Sequence, residues 1–352
     1  MAIRILHPAP GSDAGPLERL LADARAANAD RLATRFRHAG SHDVRIESSP
    51  PDGRPFGARL RELLTGLAPR GGIVVLGSGA VPLASEADTA ALVATAGSGE
   101  RRALANSFYS ADVVAIGRAG SLPDVPDLAS DNALPRWLAE QAGWRVDDLR
   151  RRWRLAIDLD SPVDLLVAGW EHGLDGDEDL ALAVRERAAL IRAITEDPRA
   201  EVLVAGRTNA STLRWLERRT ASRTRALVEE RGLRASRLAG ASETEAGRQP
   251  RSALGLLLDD RGAGEFGALL ADLADAAVVD TRVLLAHRLG VDESGWPSGE
   301  DRFASDLLLA ERVADPWLRE LTASARDSTI PVLLGGHTLV GPGLRRLLRG
   351  AR

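Results

Sequence analysis

Gly72-Ile-Val-Val-Leu-Gly-Ser-Gly-Ala-Val-Pro-Leu83 begins as an unbroken apolar run and ends in a turn of small residues closed by Pro82. The run Ile73 to Leu76 leaves no polar face, so it predicts a strand covered on both sides, as in a parallel sheet between layers of helix. Its surroundings agree. Ile3-Arg-Ile-Leu-His7 and Val44-Arg-Ile-Glu47 are short strands before it, and Leu104–Ser107 and Val113–Ile116 are strands after it. Between them lie helical segments. Pro16 to Ala39 has proline near its start and Gly40 just past its end, and Phe56 to Leu67 follows the turn-rich Ser48–Pro55. A third helix starts at Ser85 or Glu86 and runs through Ala94, and a fourth spans Asp131 to Ala142, capped by Ser130 or Asp131. Strands alternating with helices mean an α/β fold with a mostly parallel sheet.

The second half repeats the pattern less regularly. Asp179–Thr195 is an amphipathic helix, Glu201–Ala205 a strand, Ser211–Arg219 a helix and Arg225–Val228 a strand. Ala276-Ala-Val-Val-Asp-Thr-Arg282 is a strand ending in a polar turn. Asp315-Pro-Trp317 opens a helix, and Ile330–Leu334 is a strand that runs into Gly335-Gly-His337. Glu171-His-Gly-Leu-Asp-Gly-Asp-Glu178 reads as a linker, which sets domains at 1–172 and 173–352. Ala239–Arg251 reads as a loop.

Composition narrows the chemistry. The net charge of −4 over 352 residues points to neither nucleic acid nor an acidic membrane surface. The absence of a spanning apolar run and of a basic-then-apolar leader makes cytoplasm the expectation. A homo-oligomer stays open. There is no cysteine, so thiolate nucleophiles and iron–sulfur clusters are excluded. All 46 basic residues are arginine, which excludes a Schiff-base lysine and a Walker-type phosphate loop. Any anion must therefore be held by guanidinium forks, histidines or backbone amides.

Arg154-Leu-Ala-Ile-Asp-Leu-Asp-Ser-Pro-Val-Asp164 reads as a short strand broken by Pro162, which suits the first turn of a helix. Asp158 and Asp160, two apart on an extended chain, point to one side and make a candidate site for a divalent cation. The simpler alternative is that Asp160 or Ser161 caps the helix.

Three stretches resemble the nucleotidyltransferase group that includes molybdenum-cofactor guanylyltransferase and 2-phospho-lactate guanylyltransferase. Val74-Val-Leu-Gly-Ser-Gly-Ala-Val-Pro-Leu83 is similar to the family's strand ending in Asp-x-Pro-Leu. Asn106-Ser-Phe-Tyr-Ser-Ala-Asp-Val-Val-Ala115 is similar to its following polar strand. Ile157-Asp-Leu-Asp-Ser-Pro-Val-Asp-Leu165 is similar to its closing Asp-x-Asp-Thr-Pro-x-Asp-Leu segment. The likeness covers about residues 1–170. It implies a glycosyltransferase-A-type domain that binds a nucleoside triphosphate and Mg²⁺ or Mn²⁺. Asp158 and Asp160 would hold the ion, and Asp158, Asp160 and His337 are the candidate catalytic residues. Backbone amides near Gly11 and at Gly77, Ser78 and Gly79 would cradle the nucleotide. The amide and hydroxyls of Asn106 and Ser110 suit reading a base or sugar, but the favoured alternative is that Asn106-Ser107 is an ordinary strand end with Tyr109 a half-buried anchor. Two departures stand out. Ala80 occupies the family's metal-holding aspartate position, and the loop after the first strand has no lysine, Arg19 being its nearest cation.

The expected function is transfer of a nucleotidyl or glycosyl group from a nucleotide to a small phosphorylated or carboxylated acceptor. One alternative is a nucleotide- or metabolite-binding protein without catalysis. Another places the chemistry in the second half, where Asp280, Arg282, Asp301, Arg302, Asp306 and His337 lie at strand ends or loops. His337, after Gly335-Gly336, suits a general acid/base. Nine arginines against three acids between Arg207 and Arg237 read as a solvated face, or else as contacts to a phosphorylated small ligand.

Overall fold

The computed structural model describes residues 1–49, 53–170, 178–229, 251–291 and 293–349. They divide into two compact units: Met1–Asp13 with Ala22–Asp158, and Ala14–Leu21 with the described residues from Leu159 onward.

In the first unit the chain runs β1 (Ala2–Pro8), α1 (Pro16–His38, of which Pro16–Leu21 count with the second unit), β2 (Asp43–Ser49), α2 (Phe56–Leu64), β3 (Ile73–Gly77), α3 (Glu86–Ala96), β4 (Arg102–Ala105), β5 (Val113–Ile116), α4 (Leu134–Glu140) and β6 (Arg145–Asp148). The strands form one sheet in the order β2-β1-β3-β5-β4-β6. Alternation along β3 sorts its run between two cores. Val74 and Leu76 join Leu32 and Phe36 of α1 and Leu92 of α3, whereas Ile73 and Val75 join Leu60 of α2 and Leu134 and Trp137 of α4.

The sheet is mostly parallel, with five of its six strands running one way, and it is mixed because β5 runs antiparallel to both β3 and β4. The cause lies in the spacing of the chain. Only Asn106–Asp112 separates β4 from β5, and a parallel crossover needs a dozen residues or more. Two expectations change. Arg154–Ile157 is not a strand: Trp153–Ala156 is a 3₁₀ turn, after which Asp158 makes a single antiparallel bridge to Ala80. The edge strand β6, short and polar, was not anticipated.

Arginine-only chemistry shows in how α3 is fixed. Ser85 accepts from the Asp88 amide while Asp88 reaches back to the Ser85 amide, a reciprocal cap. Burial alone would raise the pKa of Asp88. Its bonds to Ser85, Arg154 and Arg152 outweigh that and hold it down at about 2.

The second unit contains α5 (Pro162–Ala168), α6 (Glu178–Ile194), β7 (Glu201–Gly206), α7 (Ala210–Arg219), β8 (Arg223–Val228), α8 (Ala253–Arg261), α9 (Phe266–Leu273), β9 (Ala276–Asp280), α10 (Thr281–Leu289), α11 (Gly299–Asp306), α12 (Pro316–Arg326), β10 (Val332–Gly335) and α13 (Leu344–Arg349). Its sheet is parallel throughout, in the order β10-β9-β7-β8. Leu203, Ala205, Ala277, Val279 and Leu334 face α8, α9 and α12 through Leu258, Phe266, Leu270 and Leu321. α6 packs against β7, β9 and β10. Pro316 opens α12 behind the Asp315 cap, as expected, but α8 and α9 were not foreseen.

The strand order places the reversal of winding between β7 and β9, because β8 follows β7 on one side and β9 returns on the other. In an open α/β sheet the crevice at that point, outside the carboxyl ends of the strands, is where ligands bind. Residue 178 of the proposed linker 171–178 already begins α6. Its residues 171–177, and most of the loop assigned to Ala239–Arg251, at 239–250, lie outside the described residues, as does the end of the arginine-rich run. Among the described residues no helix is long and apolar enough to cross a membrane.

Candidate functional site

A cavity of about 170 Å³ opens in the first unit at the carboxyl ends of β1 and β3. Gly77, Ser78 and Gly79 form one wall, and Arg25, Asp112 and Asp158 reach it from other elements. Its position follows from the bridge between Ala80 and Asp158, which joins the turn after β3 to the segment that closes the unit. Val81, next to the bridge, is buried with φ at 44°, a conformation that a β-branched residue rarely adopts. Strain of this kind costs about 1–3 kcal/mol and gathers at ligand clamps and active sites.

The amide cradle expected here is largely spent on the fold. The Gly77 amide donates to Asp112 O (3.3 Å), the Ser78 amide to Leu6 O (2.8 Å) and the Ala80 amide to Gly77 O (3.1 Å). The Ser78 hydroxyl sits 3.1 Å from Nδ1 of His7. Burial, followed by the nearby Arg25 charge, lowers the His7 pKa.

The remaining sequence candidates separate. Asn106 is buried and fully engaged. Its Nδ2 donates to Asp112 (2.8 Å) and Leu155 O (2.9 Å), and its Oδ1 accepts from the amides of Asp112 and Val113. It therefore positions Asp112 rather than reading a base. Ser110 is exposed in the β4–β5 loop, Gly11 is exposed in the loop after β1, and neither lines the cavity. Asp131 does line it. Asp158 belongs to the first unit and Asp160 to the second. Among the described residues no three His, Asp or Glu side chains are grouped to hold a metal ion.

In the second unit, the ends of β7, β9 and β10 bring together a set of charges. Gly206 and Asp280 close adjoining strands, and Asp280 is paired in register with Gly335. Arg207, one residue past β7, grips Asp280 with a fork, Nε to Oδ2 at 2.6 Å and Nη2 to Oδ1 at 3.2 Å. Asp280 is fully buried. Burial would raise its pKa, but the Arg207 charge and hydrogen bonds hold it below the usual carboxylate range. Arg282 donates to Thr281 Oγ1 (3.0 Å) and, in a short contact, to Oδ1 of buried Asp306. Nδ1 of His337 is 3.7 Å from Oδ2 of Asp160. Asp301 stands apart, taken up by the amides of Ala314 (2.8 Å) and Asp315 (2.9 Å), and Arg302 by Glu293 at 3.7 Å.

The helix start at Ser161-Pro162 is held from Asp164, not Asp160: Oδ2 of Asp164 accepts from the amides of Asp160 (2.9 Å) and Ser161 (2.8 Å). Its Oδ1 is buried without a hydrogen-bond partner. Complete burial, then the charge of Asp160, raises its pKa well above 3.8. The folded chain therefore binds this proton more tightly than the unfolded one. Its contribution is whole below pH 3.8 and declines as pH rises towards the folded value. Asp164→Asn keeps the accepting oxygen and removes the titration. Its stability advantage over the parent should grow between pH 4 and pH 8 in denaturant melts, and a difference that stays flat with pH would contradict this protonation.

Sequence reasoning missed Arg207 as a partner of Asp280. The available signal was that each immediately follows or ends an apolar run of the same parallel sheet. Compared with known proteins, the chain matches no family model, no curated protein and no solved structure.

Proposed function

We propose that the first unit is a nucleotide-binding domain of the glycosyltransferase-A type and that the protein is nucleotidyltransferase-like. It would move a nucleotidyl or glycosyl group from a nucleotide to a small phosphorylated or carboxylated acceptor. The observation that carries this reading is the Ala80–Asp158 bridge. The two stretches that resemble the family's metal-holding segments are distant in sequence, yet they pair side by side at the cavity. Val81, strained beside the bridge, supports the same reading.

The donors fit a cation of the Mg²⁺ class in a limited way. Asp158 offers hard oxygen, but the methyl of Ala80 stands where the family has a second carboxylate. Mg²⁺ is commonly held by one or two carboxylates together with substrate phosphates, so Asp158 with the nucleotide's own oxygens suffices. The ion, when bound, neutralises phosphate charge. In this proposal Arg25, which lines the cavity, orients the phosphates, and Asn106 keeps Asp112 in place. Ala80 also favours a second reading, in which the unit binds its nucleotide without metal or catalysis.

Thermal unfolding with each common nucleoside triphosphate, with and without Mg²⁺, separates the two. A ligand at a hundred times its Kd stabilises by about 2.7 kcal/mol. We expect stabilisation by at least one nucleotide that increases with Mg²⁺, and loss of the Mg²⁺ increment in Asp158→Ala. Stabilisation indifferent to Mg²⁺ favours the binding module, and no response to any nucleotide refutes both.

A further inference from the structure

We propose that the second unit carries its own binding site for a small molecule bearing one oxyanion group, a phosphate or carboxylate, seated over Gly336 between Arg207 and Arg282. This goes beyond the nucleotide reading of the first unit and does not depend on it.

The location comes from the sheet. In open α/β sheets ligands bind where the winding reverses, here between β7 and β9; Arg207 and Arg282 follow those two strands, and Gly336 follows neighbouring β10. The chemistry comes from the side chains. A β-carbon placed on Gly336 would have two atoms within 4 Å, Nη2 of Arg207 at 3.8 Å and Nε of Arg282 at 3.9 Å. The glycine thus leaves a small space faced by two guanidinium edges.

Buried carboxylates fix both edges in advance. Arg207 spends Nε and Nη2 on Asp280, while Arg282 spends Nη1 on Asp306 and Thr281. Nε of Arg282 donates to no acceptor among the described residues. Pre-ordered forks lose little freedom when they meet an oxyanion, and such charge-assisted bonds are roughly twice as strong as neutral ones. Thr208, next to Arg207, is 7% exposed, and its hydroxyl is buried without a partner.

The same carboxylates limit the ligand. Asp280 and Asp306 already balance the two arginines, so the site has little surplus positive charge. One oxyanion on a small metabolite suits it better than a polyphosphate or a nucleic-acid backbone.

The test is calorimetric titration of the full chain with inorganic phosphate and, separately, malonate. Gly336→Ala adds a methyl in ordinary contact distance of both arginines, so its melting temperature should match the parent. We expect the parent to bind one or both anions and Gly336→Ala to bind at least tenfold more weakly. Response to phosphate alone identifies a phosphate ester, and response to malonate alone a carboxylate. Binding of neither anion, or equal binding by Gly336→Ala and the parent, overturns the proposal.

Discussion

Arg282→Met is expected to destabilise the second unit by about 3–5 kcal/mol, the usual cost of breaking one side of a buried ion pair. Asp306 is fully buried, and its Oδ2 already lacks a hydrogen-bond partner. Removing Arg282 takes the cation from Oδ1 and leaves a carboxylate with Thr281 at 3.5 Å as its nearest remaining donor. The loss therefore measures a stranded charge, not the net worth of the pair. The control is the double variant Arg282→Met with Asp306→Leu, since an apolar replacement of an entire buried pair is often neutral or stabilising. Denaturant melts should show the double variant recovering most of the loss. If the single variant loses under 1 kcal/mol, Asp306 is not held as a buried charge, and the pre-ordered Arg282 edge goes with it.

Gly206→Ala is the second large effect. Gly206 has φ at +121°, where a β-carbon is strained, and that carbon would fall 2.2 Å from Cβ of Asp280. Backbone strain of about 1–3 kcal/mol adds to overpacking of about 1–3 kcal/mol, so a total of about 2–6 kcal/mol is expected. The clash pushes directly on the residue that Arg207 grips. Denaturation should move to lower urea with an unchanged m-value, and anion binding over Gly336 should weaken in parallel. A variant that melts like the parent would mean that the ends of β7 and β9 do not approach as closely as described.

Much of the fold was written locally. Ile73–Leu76 is apolar on both faces because helices cover both faces, and Asp315-Pro316 starts a helix by cap and fixed φ alone. The antiparallel β5 was legible too, since the short span from Asn106 to Asp112 leaves no room for a crossover. Asp158 and Asp160 were misjudged as one face of a strand. Ser161-Pro162 bends the chain into α5, and the cap is made by Asp164, a residue whose burial no local pattern displays. Asn106 was polar for an interior reason, closing the turn that holds Asp112, and its sequence neighbourhood looks the same either way. The Arg207–Asp280 fork joins positions on different strands, so it becomes visible only when the strand order is known.

The central claim is that the cavity at the ends of β1 and β3 receives nucleotide phosphates. A crystal structure with Mg²⁺ and the nucleotide that most stabilises the chain tests it most directly. Phosphate oxygens are expected within hydrogen-bond reach of Arg25, with the ion against Asp158. Nucleotide density anywhere else, with this cavity left vacant at saturating ligand, would contradict it.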